Sequence, residues 1–165
     1  MATNPYATQL GDGNPLDVIN QTPGKLNRCV QTLGSAGLKE PWAPGKWTAG
    51  QIICHLADTE IAFSFRIRQV LAEPHHIIQP FDQDAWSKGY SQLDPQLAAQ
   101  VFAALRGWNL ALIKTVSQET FEKPVSHPER GQMTFRTLLE TMAGHDLNHL
   151  RQLETVATAY SRRAI

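Results

Sequence analysis

Six histidines carry most of this chain's chemical potential: His55, His75, His76, His127, His145 and His149. Three of them fall where core side chains belong. Near the end of the chain the apolar positions read Leu138, Met142, His145, His149, Leu153 and Val156, at spacings of four, three, four, four and three. His145 and His149 thus share one helical face a turn apart, and imidazoles at i and i+4 can converge on a single ion. His55 sits on another stripe, beside Ile52 and Thr59. It faces the pair if the two helices are neighbours. Two ligands from one helix and one from another leave a coordination position open, as catalytic zinc sites do and structural ones do not. The competing reading is three hydrogen-bonded core histidines. Burying them unpartnered would cost roughly 1–3 kcal/mol each, and one bound cation removes that cost. The expected ligands of a divalent ion are therefore His55, His145 and His149.

Other residues could contribute. His145-Asp146-Leu147-Asn148-His149 looks at first sight like the HExxH of zinc proteases. Asp is a methylene shorter than Glu, however, and no third ligand follows on the same helix. Asp146 and Asp58 read either as groups behind the ligands or as a solvated helix face. His127 and Asp82 are the candidates for a catalytic acid or base. The loop holding His127-Pro128-Glu129-Arg130-Gly131 could reach the metal or form an exposed turn. His75 and His76 follow Pro74 and read as solvated. Arg66, Arg106 and Arg151 are the candidates for a basic groove beside the open position. Cys29 and Cys54 form no CxxC pair, so they read as half-buried structural thiols of a reducing cytosol.

These side chains need a scaffold, and four helical stretches supply it. The first runs from about Pro15 to Gly34 on Leu16, Ile19, Thr22, Leu26, Val30 and Leu33. Thr22-Pro23-Gly24 predicts a kink or a fresh start, with Thr22 as cap and Pro23 at the first helical position. The second starts at Thr48, follows Ile52, Leu56, Thr59, Phe63, Ile67, Val70 and Leu71, and stops at Pro74. A polar loop follows, with a short turn through Asp82 to Trp86. The third opens on Asp94-Pro95 and places Leu97, Val101, Ala104, Leu105, Trp108 and Leu112 on its stripe. The fourth begins at Thr134 and runs to about Tyr160. No stretch shows strand alternation. Four amphipathic helices bury their stripes most economically as an all-α four-helix bundle, antiparallel or with a crossover at the long second connection. The chain divides into a flexible segment over residues 1–14, one bundle over 15–160 and a tail over 161–165.

Composition narrows the partners. Lys+Arg and Asp+Glu are both 15, for a net charge of zero. Nucleic-acid binding normally needs a basic excess, and a zero balance gives no electrostatic attraction to a membrane surface. No apolar run approaches the roughly 18 residues of a membrane span. The N-terminus lacks the charged and apolar regions of a signal peptide, so the expected location is cytoplasmic. Apolar residues at 42% and charged residues at 18% describe a globular domain.

Two segments taken in order are specific. Lys46-Trp47-Thr48 leads into Cys54-His55-Leu56-Ala57-Asp58, and Ala143-Gly144-His145-Asp146-Leu147-Asn148-His149-Leu150-Arg151-Gln152 comes later. Pro80-Phe81-Asp82-Gln83-Asp84-Ala85-Trp86 and His127-Pro128-Glu129-Arg130-Gly131 lie between. From about Pro15 to Glu154 the chain resembles the DinB/YfiT-like superfamily of metal-binding four-helix bundles. The resemblance implies a three-histidine site on His55, His145 and His149, holding zinc, nickel or another divalent ion. It also implies an up-down-down-up bundle with a long crossover between the second and third helices, and a homodimer. Some relatives are S-transferases using bacillithiol or mycothiol, and a related branch isomerises maleylpyruvate with a thiol. The expected function is thus a metal-dependent transferase acting on a small molecule with a low-molecular-weight thiol, the metal activating a thiolate or water. The alternatives are a metal-dependent hydrolase and a non-catalytic metal-binding or stress-response protein.

Overall fold

The computed structural model describes residues 4–74 and 76–163. His75, expected to be solvated, lies outside them. Its helices are α1 (Ala7–Leu10), α2 (Pro15–Gly37), α3 (Ala49–Ala72), α4 (Gln83–Ser87), α5 (Pro95–Ile113) and α6 (Phe135–Arg163). Short 3₁₀ turns span Tyr90–Gln92 and Gln118–Glu122, and two strands, β1 (Pro124–His127) and β2 (Gly131–Thr134), form a hairpin.

The bundle consists of α2, α3, α5 and α6, with α2 packed chiefly on α6 and α3 on α5. Both pairs run parallel. Gly37 near the end of α2 packs on Tyr160 near the end of α6. Gly50 of α3 lies against Pro95 of α5, while further along Glu60 meets Arg106 and Ser64 meets Asn109. Parallel neighbours cannot be joined by a tight turn, so the connection from Glu73 to Asp94 must cross the molecule. This is the up-down-down-up arrangement.

Local chemistry sets the helix starts. Asn14 caps α2 through Leu16 N–H, and Asp94 caps α5 through Gln96 N–H, each at 2.9 Å, with proline next in sequence. Thr48 and Gln51 form a reciprocal capping box at the head of α3. The Thr134 hydroxyl accepts from Thr137 N–H at the head of α6. The expected break at Thr22-Pro23 does not occur; α2 runs straight through it. Proline removes the N–H that would bond the Ile19 carbonyl, but Arg106 Nη1 donates to that carbonyl instead, at 2.9 Å. Thr22 is no cap, since its hydroxyl donates back to the Val18 carbonyl. The irregularity falls later, at Gly34, whose φ of 54° suits glycine.

Four further expectations are corrected. The inward face of α5 is Phe102, Arg106, Asn109 and Ile113, while Leu97, Val101 and Trp108 point outward, Trp108 being 64% exposed. The loop before α6 contains β1 and β2, with Val125 and His127 facing inward. Ile77 adds a parallel bridge to Ser126, and this short ladder buries His76, which was expected to be solvated. The described residues before Pro15 are not a free tail: Tyr6 and α1 pack on α6, and Arg151 bonds Gln9.

The core is split. One apolar cluster gathers Ile19, Phe63, Ile67, Ile113, Leu138 and Met142 with the hairpin's Val125 and Met133. The other gathers Leu26, Leu33, Ile52, Leu56, Phe102, Leu153 and Val156. Between them, at one level of all four helices, lie Thr22, His55, Glu60, Arg106, Asn109, His145, Asp146 and His149, all buried.

Candidate metal centre

Each histidine of the triad reaches the interior because it takes a core position on an amphipathic helix, His55 on α3 and His145 and His149 on α6. All three are buried, at 1%, 5% and 7% exposure respectively. One ring nitrogen from each lies within 4.8 Å of the others. His55 Nε2 and His145 Nε2 are 3.0 Å apart, and the rings of His145 and His149 are 4.5 Å apart. His149 Nδ1 sits 2.9 Å from the Gln152 amide oxygen. That oxygen can only accept, so Nδ1 holds the proton and Nε2 keeps its lone pair. Trp47 covers the His55 ring at 5.1 Å, and His55 Nδ1 is buried with no hydrogen-bond partner.

Electrostatics keep the cluster neutral. Burial, then the nearby His149, lowers His55 from its ordinary value to about 3. Burial lowers His145 furthest, with His149, His55 and Arg106 adding to it. His149 is lowered by burial against the opposing pull of Gln152 and Asp146. Three neutral imidazoles therefore converge, each with one nitrogen free of a proton that can serve as a ligand. A tetrahedral ion with bonds near 2.0 Å separates its nitrogens by about 3.3 Å, so this donor set fits a divalent cation with little movement.

His55 and His145 also line a cavity of about 210 Å³. Tyr6 meets His145 edge-on at 5.3 Å. Gly144 permits that approach, because a Cβ there would lie 2.6 Å from the Tyr6 Cβ and carbonyl oxygen. The tip of the hairpin brings in His127, Glu129 and Arg130, while α3 and the crossover bring in Phe63, Arg66, Phe81 and Gln83. The β1–β2 turn is therefore no idle loop. His127 Nδ1 accepts from Glu129 N–H at 3.1 Å, which leaves the proton of the neutral ring on Nε2. Burial and Arg130 lower its pKa.

The structure separates the remaining candidates. Asp82 is exposed and spends its carboxylate on Ala85 N–H at the start of α4, so only its neighbours Phe81 and Gln83 reach the cavity. Arg66 lines the cavity. Arg151 is on the surface beside Gln9. Arg106 belongs to the buried layer: its guanidinium bonds Glu60 at 2.8 Å and Asp146 at 2.6 Å. Asp146 thus neither meets solvent nor supports a ligand ring. Asp58 is half-buried beside Tyr90, whose hydroxyl it pushes up after burial has done so. Cys29 and Cys54 are buried and unlinked. Burial, then Asp58 and Asp94, raises the Cys54 thiol to about 11, so it is no nucleophile. Gln152 and Tyr6 have no role in the sequence reading, and Arg130 enters it only as part of the loop that could reach the metal. Gln152 left a signal of its own, three residues after His149 on the same face.

With this geometry in place, comparison is informative. The profile of the DinB superfamily matches residues 19–153. The chain belongs to the DinB superfamily. It is 28% identical to YfiT of Bacillus subtilis (strain 168), provisionally named a metal-dependent hydrolase, over 90% of this chain and 83% of that one. A protein of Oceanobacillus iheyensis with the same provisional name is 25% identical, over 86% and 83% of the two chains. The solved structure of YfiT from Bacillus subtilis is described as a probable metal-dependent hydrolase with an unusual four-helix bundle topology. It superposes with a TM-score of 0.82 at 26% identity, covering 89% of this chain and 86% of that one.

Proposed function

We propose that this protein is a metal-dependent hydrolase of a small molecule, with His55, His145 and His149 as the ligands of one divalent ion. The observation that carries the reading is the convergence of three neutral, buried imidazoles, two of which, His55 and His145, line a cavity. Imidazole nitrogens suit zinc and nickel, and availability selects between them. Such an ion would acidify a water or thiol brought to it and polarise a substrate carbonyl. The protein's own groups do the rest. Gln152 fixes the His149 tautomer, Trp47 shields His55, and His127 Nε2–H donates to the oxygen on which charge develops. Neither cysteine lines the cavity, so on this reading the nucleophile comes from solution. A thiol in that role would make the same centre an S-transferase.

Protein purified without an affinity column should hold about one divalent ion per chain, and His149→Ala should hold little. Unchanged metal content in His149→Ala would sink the assignment. Ester and amide panels, run with and without added thiol, separate water from thiol as the nucleophile.

For assembly we propose a homodimer through the outer faces of α3 and α5. Ile61, Phe65, Leu97 and Trp108 are each 46–64% exposed there, and a net charge of zero leaves no repulsion between copies. Trp108→Glu should shift sedimentation from dimer to monomer; a monomeric parent protein would refute the assembly.

A further inference from the structure

The cavity holds more positive charge than a catalytic water needs. Arg66 from α3 and Arg130 from the hairpin turn line the same wall. Glu129 is the one acidic lining residue, and among the described residues neither arginine is ion-paired. Two like charges half-buried side by side oppose folding unless an anion offsets them, and burial and Arg130 both weaken the hold of Arg66 on its proton. Arg66 is also set in place before any ligand arrives. Its guanidinium donates to the Gln79 carbonyl at 3.1 Å and lies 5.7 Å from the rings of both Phe63 and Phe81. A guanidinium so braced loses little freedom on meeting an anion. The same two rings form the apolar part of the wall.

We propose that Arg66 and Arg130 anchor a substrate carboxylate, so that the cavity takes a small acid with an apolar body whose reactive group faces His55 and His145. The inference rests on the hydrolase reading for the orientation of the ligand, but not for the anchor. Guanidinium forks match carboxylates in geometry, and the Phe63 and Phe81 rings match an aryl or alkyl body. A carboxylate held at the arginines leaves the far end of such a molecule toward His55 and His145 in the same lining.

The test is calorimetry with 3-phenylpropionate as probe, on the full chain both zinc-loaded and chelated. The acid should bind in both forms, because the anchor is arginine and not the ion. Arg66→Gln and Arg130→Gln should each weaken it about tenfold, the loss expected of one charge-assisted contact. The neutral 3-phenylpropionamide should bind at least tenfold more weakly, as should inorganic phosphate, which lacks the apolar body. Amide binding equal to the acid would overturn the proposal. So would binding that needs zinc and ignores both substitutions, since the carboxylate would then sit on the ion. Phosphate matching the acid would overturn the apolar half of the site. If Arg66→Gln lowers the melting temperature sharply, Arg130→Gln in the turn gives the same readout. A protein that binds the acid but no zinc fails the hydrolase reading alone.

Discussion

A histidine buried beside two others must stay neutral, and that has a measurable consequence. In the unfolded chain each titrates near its ordinary value of about 6.5. In the folded protein burial holds all three lower, His55 at about 3. Between those limits the unfolded chain binds more protons than the folded one, so stability must fall as pH falls. Metal-free protein should therefore be evenly stable above about pH 7 and lose on the order of 1 kcal/mol per pH unit for each histidine below about 6.5. Urea titrations from pH 8 to pH 4 measure this, and a midpoint that does not move across that range would mean that the three rings titrate in the folded protein as they do in the unfolded chain. His127 differs in being fixed as a donor. His127→Ala should leave the metal content intact while lowering kcat by about 10²-fold, the usual effect of losing one donor to a developing oxyanion. A loss confined to KM would make it a binding residue instead. The cluster of His55, His145 and His149 was legible because a core position occupied by histidine is anomalous against its apolar neighbours. Arg130 and Tyr6 were not, since an arginine in a turn and a tyrosine near a terminus are ordinary until the fold brings them to the same wall.

At the level of elements, the misread face of α5 is instructive. Its most apolar stripe, Leu97, Val101 and Trp108, points out, and two polar residues point in. Hydrophobic periodicity finds the buried face only where burial is apolar. Here Arg106 takes an inward position because it joins all four bundle helices: from α5 it reaches Glu60 on α3, Asp146 on α6 and the Ile19 carbonyl on α2. Pro23 belongs to the same device, since it leaves that carbonyl without a helical donor. Asn109 closes the network on Glu60 at 2.8 Å. One guanidinium thus sets the relative height of α3 and α6, the two helices whose histidines must meet. Burial would lower the pKa of Arg106, but Asp146 and Glu60 outweigh it and hold the charge firmly. Arg106→Leu should destabilise the protein by about 3–5 kcal/mol, because two buried carboxylates lose their counter-ion. Those carboxylates can escape by taking up protons, and burial already raises Glu60. The penalty should therefore be smaller at pH 5 than at pH 8. Denaturation of parent and variant at both pH values checks the sign, and an equal penalty would show that the carboxylates are solvated. The helix starts at Thr48, Asp94 and Thr134 were legible because capping is a local matter. The hairpin was not, since four-residue strands are too short to show alternation.

Seen whole, the molecule is two apolar halves joined by a polar layer. One cluster is built around Phe63, Leu138 and the hairpin, the other around Ile52, Phe102 and Leu153. Such a core folds without help from an ion, unlike that of a zinc finger. The bundle was readable from four periodic stretches, and its long crossover from the family resemblance, since the loops alone allowed an antiparallel bundle as well; the split of the core was not, because it depends on the register between helices. The division places the histidines and the Arg106 network side by side in one level, yet it gives them separate duties. The network is satisfied within the protein, each carboxylate meeting the guanidinium. The histidines are less fully partnered: His55 and His145 meet through one Nε2···Nε2 contact at 3.0 Å, where a cation could take the place of the shared proton, and His55 Nδ1 has no hydrogen-bond partner among the described residues. Removing a bound ion should therefore leave the helices standing and loosen only this level. Chelated protein should keep its far-ultraviolet circular dichroism while its melting temperature falls, by the amount that ligand linkage sets: about 2.7 kcal/mol when free metal stands at a hundred times its dissociation constant. Amide exchange should quicken around His55 and His145 before it quickens at Leu26 or Phe135, which lie one in each flanking cluster. Loss of all helical signal on chelation would show instead that the ion, and not the two apolar halves, holds the bundle together.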